Sequence, residues 1–223
     1  MYIGPNPIVL LLLPALLPII YNFLKKKPLK PVLLIYLCCI LVVLAYPLVD
    51  YLSKLHVLGY TIGKFLLFVL LPVLFVFYLE RWNIKEIFGK LGVSKNNLRK
   101  SVLYGLIGSI IMISVTFLVS SSSQFDLVYA TIMFFESFNE EFFFRGFLLL
   151  YLMTKTDFKL TYLTSILAFI LIHPQHFDSI YILSAITQAL LTTYITNKTK
   201  NIVGPWFLHG LNRLVPGILK AVI

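Results

Sequence analysis

The sequence predicts an all-α fold, a polytopic membrane helical bundle of about eight transmembrane helices, from composition and patterning. Of its 223 residues, 59% are hydrophobic and 13% are charged, whereas soluble domains are about 45–50% apolar and about 25% charged. Apolar runs of about eighteen residues recur along the chain, the length that crosses a hydrocarbon core about 30 Å thick. The alternation typical of a transmembrane β-barrel and the low hydrophobicity typical of disorder are both missing.

The predicted spans follow directly from these runs. They are residues 7–24, 31–49, 61–79, 101–120, 127–152, 160–173, 180–196 and 202–222. Residues 81–100 are too polar to cross a membrane. They predict a short interfacial helix, with Ile84, Ile87 and Phe88 on its apolar side, followed by a basic loop.

The basic residues predict the orientation of the bundle. Alternating the eight spans places loops 25–30, 81–100, 155–159 and 198–200 on one side, with 14 of the 19 Lys and Arg residues. That side is expected to be cytoplasmic, and we expect a multi-pass protein of the bacterial plasma membrane. Because the basic residues lie in short loops rather than on one face, nucleic-acid binding is not expected.

The fifth span carries an unusual concentration of ionisable residues. Glu136, Glu140, Glu141 and Arg145 lie within ten residues of an otherwise apolar segment, where each charge costs roughly 2.5–3.5 kcal/mol on insertion scales. Glu141 and Arg145 are spaced i,i+4 and can pair. Glu140 then has no local cation, so we expect it to stay protonated or to acquire a metal or histidine partner. Glu140 is the first candidate for a general base, with Glu136 as a second member or a hydrogen-bond donor.

Two histidines lie in or at the edge of other apolar spans. His173 ends the sixth span and His209 lies within the eighth. A single histidine in an apolar helix is more often a structural residue than a ligand. Polar groups on three helices can nevertheless converge in the core of a bundle, where metal and catalytic sites are built. Glu140, His173 and His209 are therefore the candidate site.

These residues match three motifs in order. They are EExxxR at Glu140, Glu141 and Arg145, FxxxH at Phe169 and His173, and a histidine motif at His209. Over about residues 100–217 the chain resembles the CPBP intramembrane proteases, the CAAX prenyl endopeptidase and bacteriocin-processing (Abi) family. The resemblance implies that residues 101–223 form a catalytic helical core, preceded in 1–100 by N-terminal transmembrane helices and a basic cytoplasmic loop, all within one integral membrane domain.

The resemblance also implies an activity and roles for the residues. It implies an intramembrane endopeptidase that hydrolyses a peptide bond in a membrane-associated or lipid-modified peptide or protein, within a cavity open to the cytoplasmic side. Glu140 activates water with His173, His209 stabilises the oxyanion with a nearby amide, and Glu141 and Arg145 support the site.

The cofactor stays open between two alternatives. Glu140, His173 and His209 could hold a divalent metal, with Zn²⁺ favoured, or Glu and His could act as a metal-free acid/base pair. An HExxH motif, typical of zincins, is not present in the sequence.

The last motif departs from the family pattern, which commonly reads HxxxN. Here Asn212 stands three residues after His209 and Arg213 stands four after it. Either Asn212 substitutes, or one contact to the oxyanion is lost or taken over by Arg213. A catalytically inactive scaffold, regulator or bacteriocin self-immunity protein is therefore the main alternative. A transporter with a Glu/His proton relay is a third, although no two-half symmetry supports it.

Overall fold

The computed structural model is built of helices throughout the residues that it describes, which are 7–119, 125–173, 177 and 179–222. The helices are α1 (Pro7–Leu24), α2 (Lys30–Ala45), α3 (Pro47–Leu55), α4 (Val57–Glu80), α5 (Ile84–Lys90), α6 (Leu98–Val119), α7 (127–154), α8 (Phe158–Leu171), α9 (Ile182–Thr199) and α10 (Val203–Val222). Helix α4 contains a π-helical turn at Leu66–Leu70, and α7 changes from an α-helix to a π-helix at Phe142–Tyr151. The predicted all-α membrane bundle is confirmed.

By length and composition, three or four of the described helices can cross a membrane. Among the described helices, α1, α4 and α6 are long and apolar enough to cross a membrane, and α2 with α3 makes a fourth if the pair is one broken span. Helix α8 is apolar but shorter. The count of eight spans therefore stays a prediction.

The predicted span 31–49 is interrupted by a bend of 42° between α2 and α3. Pro47 begins α3 and has no backbone N–H, so it cannot continue the hydrogen-bond ladder of α2. The apolar run over 31–49 does not by itself indicate this bend, although Pro47 lies within it.

Side chains from distant segments tie the basic loops together at one end of the bundle. Asn22, near the end of α1, donates to the carbonyl of Lys155 over 3.1 Å. Asn201, between α9 and α10, donates to the carbonyls of Ser94 and Asn96 over 2.8 and 3.0 Å. We call this end of the bundle the basic end. The other end, at which α7 and α9 begin and α10 ends, is called the opposite end.

The predicted interfacial helix is present as α5. Asn83 and Glu86 form a reciprocal capping box that satisfies the first backbone N–H groups of the helix. Ile87 and Leu91 are fully buried against the bundle, while Ile84 is exposed. Helix α5 therefore lies along the bundle with one apolar side inward.

Aromatic side chains fill the core between α4 and α7. The ring of Phe68 stacks on Phe143 with centroids 4.8 Å apart and meets Phe144 edge-on at 5.9 Å. Phe142 and Phe147 are also fully buried. These rings follow Glu141 directly along α7 and exclude water from the basic-end side of the carboxylates.

Small residues allow α6 and α10 to approach closely. The backbone N–H of Gly204 donates to Ser101 Oγ over 2.9 Å, and a Cβ on Gly204 would lie 1.9 Å from the Ser101 carbonyl oxygen. Gly105 faces the backbone of Gly204 in the same way. This close contact is typical of membrane helices that associate through small residues, and it fixes the position of α10.

Replacing Gly204 with valine is expected to lower the free energy of unfolding by about 1–3 kcal/mol, the usual range for overpacking, because the backbone of Ser101 cannot move away. Thermal unfolding of the purified protein in detergent measures the change. Gly89→Ala is the matched control, since nothing lies within 4 Å of its added Cβ. Equal stability of the two variants would contradict the close packing.

Candidate active site

The candidate residues meet at a cavity of about 520 Å³ that is lined by Glu140, His173 and His209. Glu140 lies 13 residues after Leu127, where α7 begins, and His209 lies 13 residues before Val222, where α10 ends. At 1.5 Å per residue, each is about 20 Å from that end of its helix. Helix α8 ends early, at Leu171, so His173 reaches the same region. The convergence expected from the sequence is therefore present in the fold.

The cavity reaches the surface at the opposite end of the bundle. Its lining includes Thr116, near the end of α6, Tyr181, before α9, and Gly217, near the end of α10. Asp126 and Tyr129, at the beginning of α7, also line it and are exposed. The basic loops lie at the other end. The expectation of a cavity open on the side of the basic loops is therefore wrong for the described residues.

Two cations neutralise the first pair of carboxylates. Lys64 Nζ lies 3.0 Å from Glu136 Oε1 and also bonds Glu140 Oε1. Arg213 bonds Glu136 through Nη1 and lies 3.0 Å from Glu140 Oε1 through Nη2. Lys64, Glu136 and Glu140 are buried, and Arg213 has 19% of its side chain exposed.

Glu140 therefore has two cation partners that the expectation of a protonated group, or of a metal or histidine partner, did not include. Helix α7 itself supplies none to Glu140, as the spacing indicated, but α4 supplies Lys64 and α10 supplies Arg213. A dry interior requires such compensation because an isolated buried charge costs several kcal/mol. Among the described residues, Oε2 of Glu140 has no hydrogen-bond partner.

The second acid–base pair on α7 is the one that the spacing predicted. Arg145 Nε lies 3.4 Å from Glu141 Oε2. The same Nε donates to Thr192 Oγ1 over 2.8 Å, and Nη1 donates to Ser165 Oγ over 3.1 Å. Arg145 is fully buried and joins α7 to α8 and α9. Arg145 therefore links three helices and lies away from the cavity lining.

His209 is held between an acid and a cation. Its Nδ1 lies 2.8 Å from Glu141 Oε1, and its Nε2 lies 3.0 Å from Arg213 Nε. Because a carboxylate only accepts and a guanidinium only donates, this network assigns the proton to Nδ1 and the lone pair to Nε2. His209 is therefore a neutral acceptor toward Arg213, whereas an oxyanion contact from Nε2 needs a proton there.

His173, like His209, carries its ring proton on Nδ1, but a different contact holds it there. Its Nδ1 donates to the Phe169 carbonyl over 2.7 Å, because a carbonyl oxygen only accepts. The ring of Phe169 lies 4.8 Å from the His173 ring, 5.8 Å from the His209 ring and 4.9 Å from the Arg145 guanidinium. Phe169 thus separates the two histidines from Arg145.

The two residues that follow His209 in the motif face different partners. Asn212 Nδ2 donates to Gln188 Oε1 over 3.2 Å, and both residues line the cavity. Arg213 binds Glu136, Glu140 and His209 together. Of the alternatives for this motif, the geometry favours Arg213 over Asn212 as the group beside Glu140.

The described side chains do not fit a divalent metal in this arrangement. A catalytic Zn²⁺ needs three protein ligands with available lone pairs, but the His209 Nε2 lone pair already accepts from Arg213 and Glu140 Oε1 contacts two cations. In the described part of the chain, no three His, Cys, Asp or Glu residues are grouped so that they could hold a metal ion.

Sequence reasoning missed Lys64 as a site residue. Lys64 lies inside the apolar run of α4 and is almost fully buried. An ionisable residue within a span is a functional candidate by default, so the signal was available. Its partners Glu136 and Glu140 lie more than 70 residues away, a distance that helical periodicity cannot bridge.

The fold and the cavity define a helical membrane protein whose buried Glu, His and Arg residues converge on one polar pocket. Residues 121–215 match the family model described as type II CAAX prenyl endopeptidase, Rce1-like. The resemblance to the CPBP family is thereby confirmed over this segment, and the activity that describes the matched family is that of a type II CAAX prenyl endopeptidase. No curated protein and no solved structure matches the chain.

Replacing Lys64 with methionine is expected to lower the free energy of unfolding by about 3–5 kcal/mol, because Glu136 and Glu140 lose a buried partner. Chemical unfolding in detergent measures the loss. Lys54→Met removes the same charge from an exposed position of α3 and is expected to change stability by no more than about 0.5 kcal/mol.

Adding Glu136→Gln to Lys64→Met tests the cause of this loss. The double variant is expected to recover part of the stability, since one unpaired carboxylate is removed. Similar stability of Lys64→Met and Lys54→Met would show that the buried ion pairs do not hold the site together.

Proposed function

We propose that the protein is an intramembrane endopeptidase that hydrolyses a peptide bond in a membrane-associated peptide or protein. One observation carries the proposal: Glu140 of α7, His173 just after α8 and His209 of α10 line one cavity large enough for several water molecules or a peptide segment. The family match over residues 121–215 supports the same class of reaction. The plasma membrane of a bacterium is the expected location.

The proposed general base is Glu140 Oε2, which has no hydrogen-bond partner among the described residues and lies 3.7 Å from His209 Nε2. Glu140 is a carboxylate in both of its ion pairs, and Oε2 accepts the proton of a water molecule while the water oxygen attacks the peptide carbonyl carbon. His173 lines the same cavity and orients this water. The proton passes to the leaving amine nitrogen as the C–N bond breaks. Asn212 and Arg213 line the same cavity and supply N–H donors for the oxyanion.

The arrangement supports hydrolysis over a proton relay. A relay needs acids and histidines strung along a path, whereas these residues border one pocket. A catalytically inactive scaffold or immunity protein of the same fold is the second candidate, and one observation favours it. Lys64 and Arg213 both contact Glu140 Oε1, so cations already engage one of the two oxygens of this carboxylate.

The position of the cavity suggests where the substrate enters. The cavity surface at Asp126 and Tyr129 lies opposite the basic loops, and basic loops are typically cytoplasmic. We therefore propose that the substrate is a peptide or protein segment on the outer side of the membrane. Processing of a secreted peptide or a bacteriocin fits this side better than cleavage of a cytoplasmic prenylated protein.

Glu140→Gln and His173→Ala are each expected to reduce cleavage of a membrane-anchored secreted-peptide precursor by at least about 10²-fold, the usual contribution of general acid–base catalysis. Cleavage is measured in proteoliposomes at matched protein abundance. Glu86→Gln is the control, since this exposed residue caps α5 and glutamine also serves in a capping box. If both site variants cleave as fast as wild type, the peptidase proposal fails.

A wild type that cleaves no precursor but retains a cellular phenotype favours the scaffold. In that case, Glu140→Gln is expected to keep the phenotype, because binding needs the fold rather than the base. Immunity against an added bacteriocin is a suitable phenotype, with growth as the measurement.

Cysteine labelling tests the side of entry. In a Cys38→Ala/Cys39→Ala background, Tyr129→Cys at the cavity surface is expected to react with a membrane-impermeant maleimide on intact cells. Lys95→Cys at the basic end is exposed and is expected to react only after permeabilisation. The two native cysteines are fully buried, and their replacement removes any background labelling, with the double-alanine protein as the blank. The reverse labelling pattern would place the cavity on the cytoplasmic side.

A further inference from the structure

Arg213 contacts three polar side chains of the site at once. Its three nitrogen positions contact three different side chains: Nε contacts His209 Nε2, Nη1 contacts Glu136 Oε2 and Nη2 contacts Glu140 Oε1. A carboxylate oxygen and an imidazole lone pair are the groups that Zn²⁺ uses as ligands. The guanidinium therefore uses the lone pairs that a metal would need.

Lys64 adds a second positive charge at Glu140 Oε1, the oxygen that Arg213 also contacts. Its Nζ contacts Glu136 and Glu140 from the side away from the cavity lining. With Arg145 paired to Glu141, the three glutamates of α7 face three cations. A divalent ion beside Arg213 and Lys64 would meet like charges within a few ångströms in a low-dielectric interior, where repulsion is strong.

We propose that Arg213, supported by Lys64, is an internal replacement for a divalent cation in this site. The charge that a metal would supply to Glu140 and His209 is built into α10 and α4. Arg213 has two further N–H hydrogens on Nη1 and Nη2 beyond its three contacts, and its side chain faces the cavity. Arg213 is therefore the group that contacts a substrate carbonyl oxygen. This substrate role rests on the proposed function, whereas the exclusion of metal does not.

Metal binding by the purified full-length protein in detergent tests the replacement. After dialysis against Zn²⁺ or Co²⁺ and removal of free ion, the wild type is expected to retain less than about one tenth of an equivalent. Arg213→Asn restores the family's residue at this position and frees Glu140 and His209. This variant is expected to bind Zn²⁺ at least tenfold more tightly than wild type and to show the visible absorption of tetrahedral Co²⁺.

Two further variants control for charge and folding. Arg81→Asn removes one exposed positive charge and places asparagine at a left-handed position that it tolerates; it is expected to bind no metal. Arg213→Asn/Glu136→Gln keeps the buried charges balanced and is expected to bind metal as Arg213→Asn does, so a poorly folded single variant does not end the test. Thermal unfolding identifies the folded variants.

One equivalent of metal on the wild type, bound as tightly as by the Arg213 variants, would overturn the replacement. So would folded Arg213 variants that bind no more metal than wild type. Both results come from binding alone, so they are independent of turnover. A protein that cleaves nothing and yet gains metal on Arg213→Asn leaves this inference standing while the peptidase proposal fails.

Discussion

The buried balance of three carboxylates and three cations is the constraint on which the rest of the site depends. Glu136, Glu140 and Glu141 lie on α7, in an interior where an unpaired charge costs several kcal/mol. Arg145 comes from the same helix, but Lys64 comes from α4 and Arg213 from α10. The carboxylates are therefore stable only if α4 and α10 pack against α7, and this packing also creates the cavity wall.

The contacts that sequence predicted are those encoded within one helix. The pair of Glu141 and Arg145 follows from i,i+4 spacing, and most span boundaries lie within a few residues of the observed helix ends because apolar runs set both. The contacts of Glu140 join residues 76 and 73 positions apart, which no helical period relates. Motif matching brought Glu140, His173 and His209 together only by analogy, and it omitted Lys64 altogether.

The direction of a hydrogen bond is also beyond the reach of a motif. His209 was expected to donate to an oxyanion, yet its Nε2 accepts from Arg213 because Glu141 holds the proton on Nδ1. The residue four positions after His209, here Arg213, decides whether His209 Nε2 accepts a hydrogen bond. An asparagine there would leave Nε2 free to bind a metal or a proton, whereas an arginine uses it. One substitution in the motif thus changes the chemistry available to a residue that is itself unchanged.

Charge pairing also explains why helix α7 does not resemble a membrane span by composition. Helix α7 contains four ionisable residues and is not among the helices long and apolar enough to cross a membrane. All four are buried and paired inside the bundle. The exposed residues of its first turns are uncharged: Leu127, Val128, Tyr129, Thr131 and Phe135. A bilayer contacts only the exposed side of a helix. The surface that α7 exposes is therefore uncharged, and the same ion pairs that form the site allow this helix to lie in a membrane.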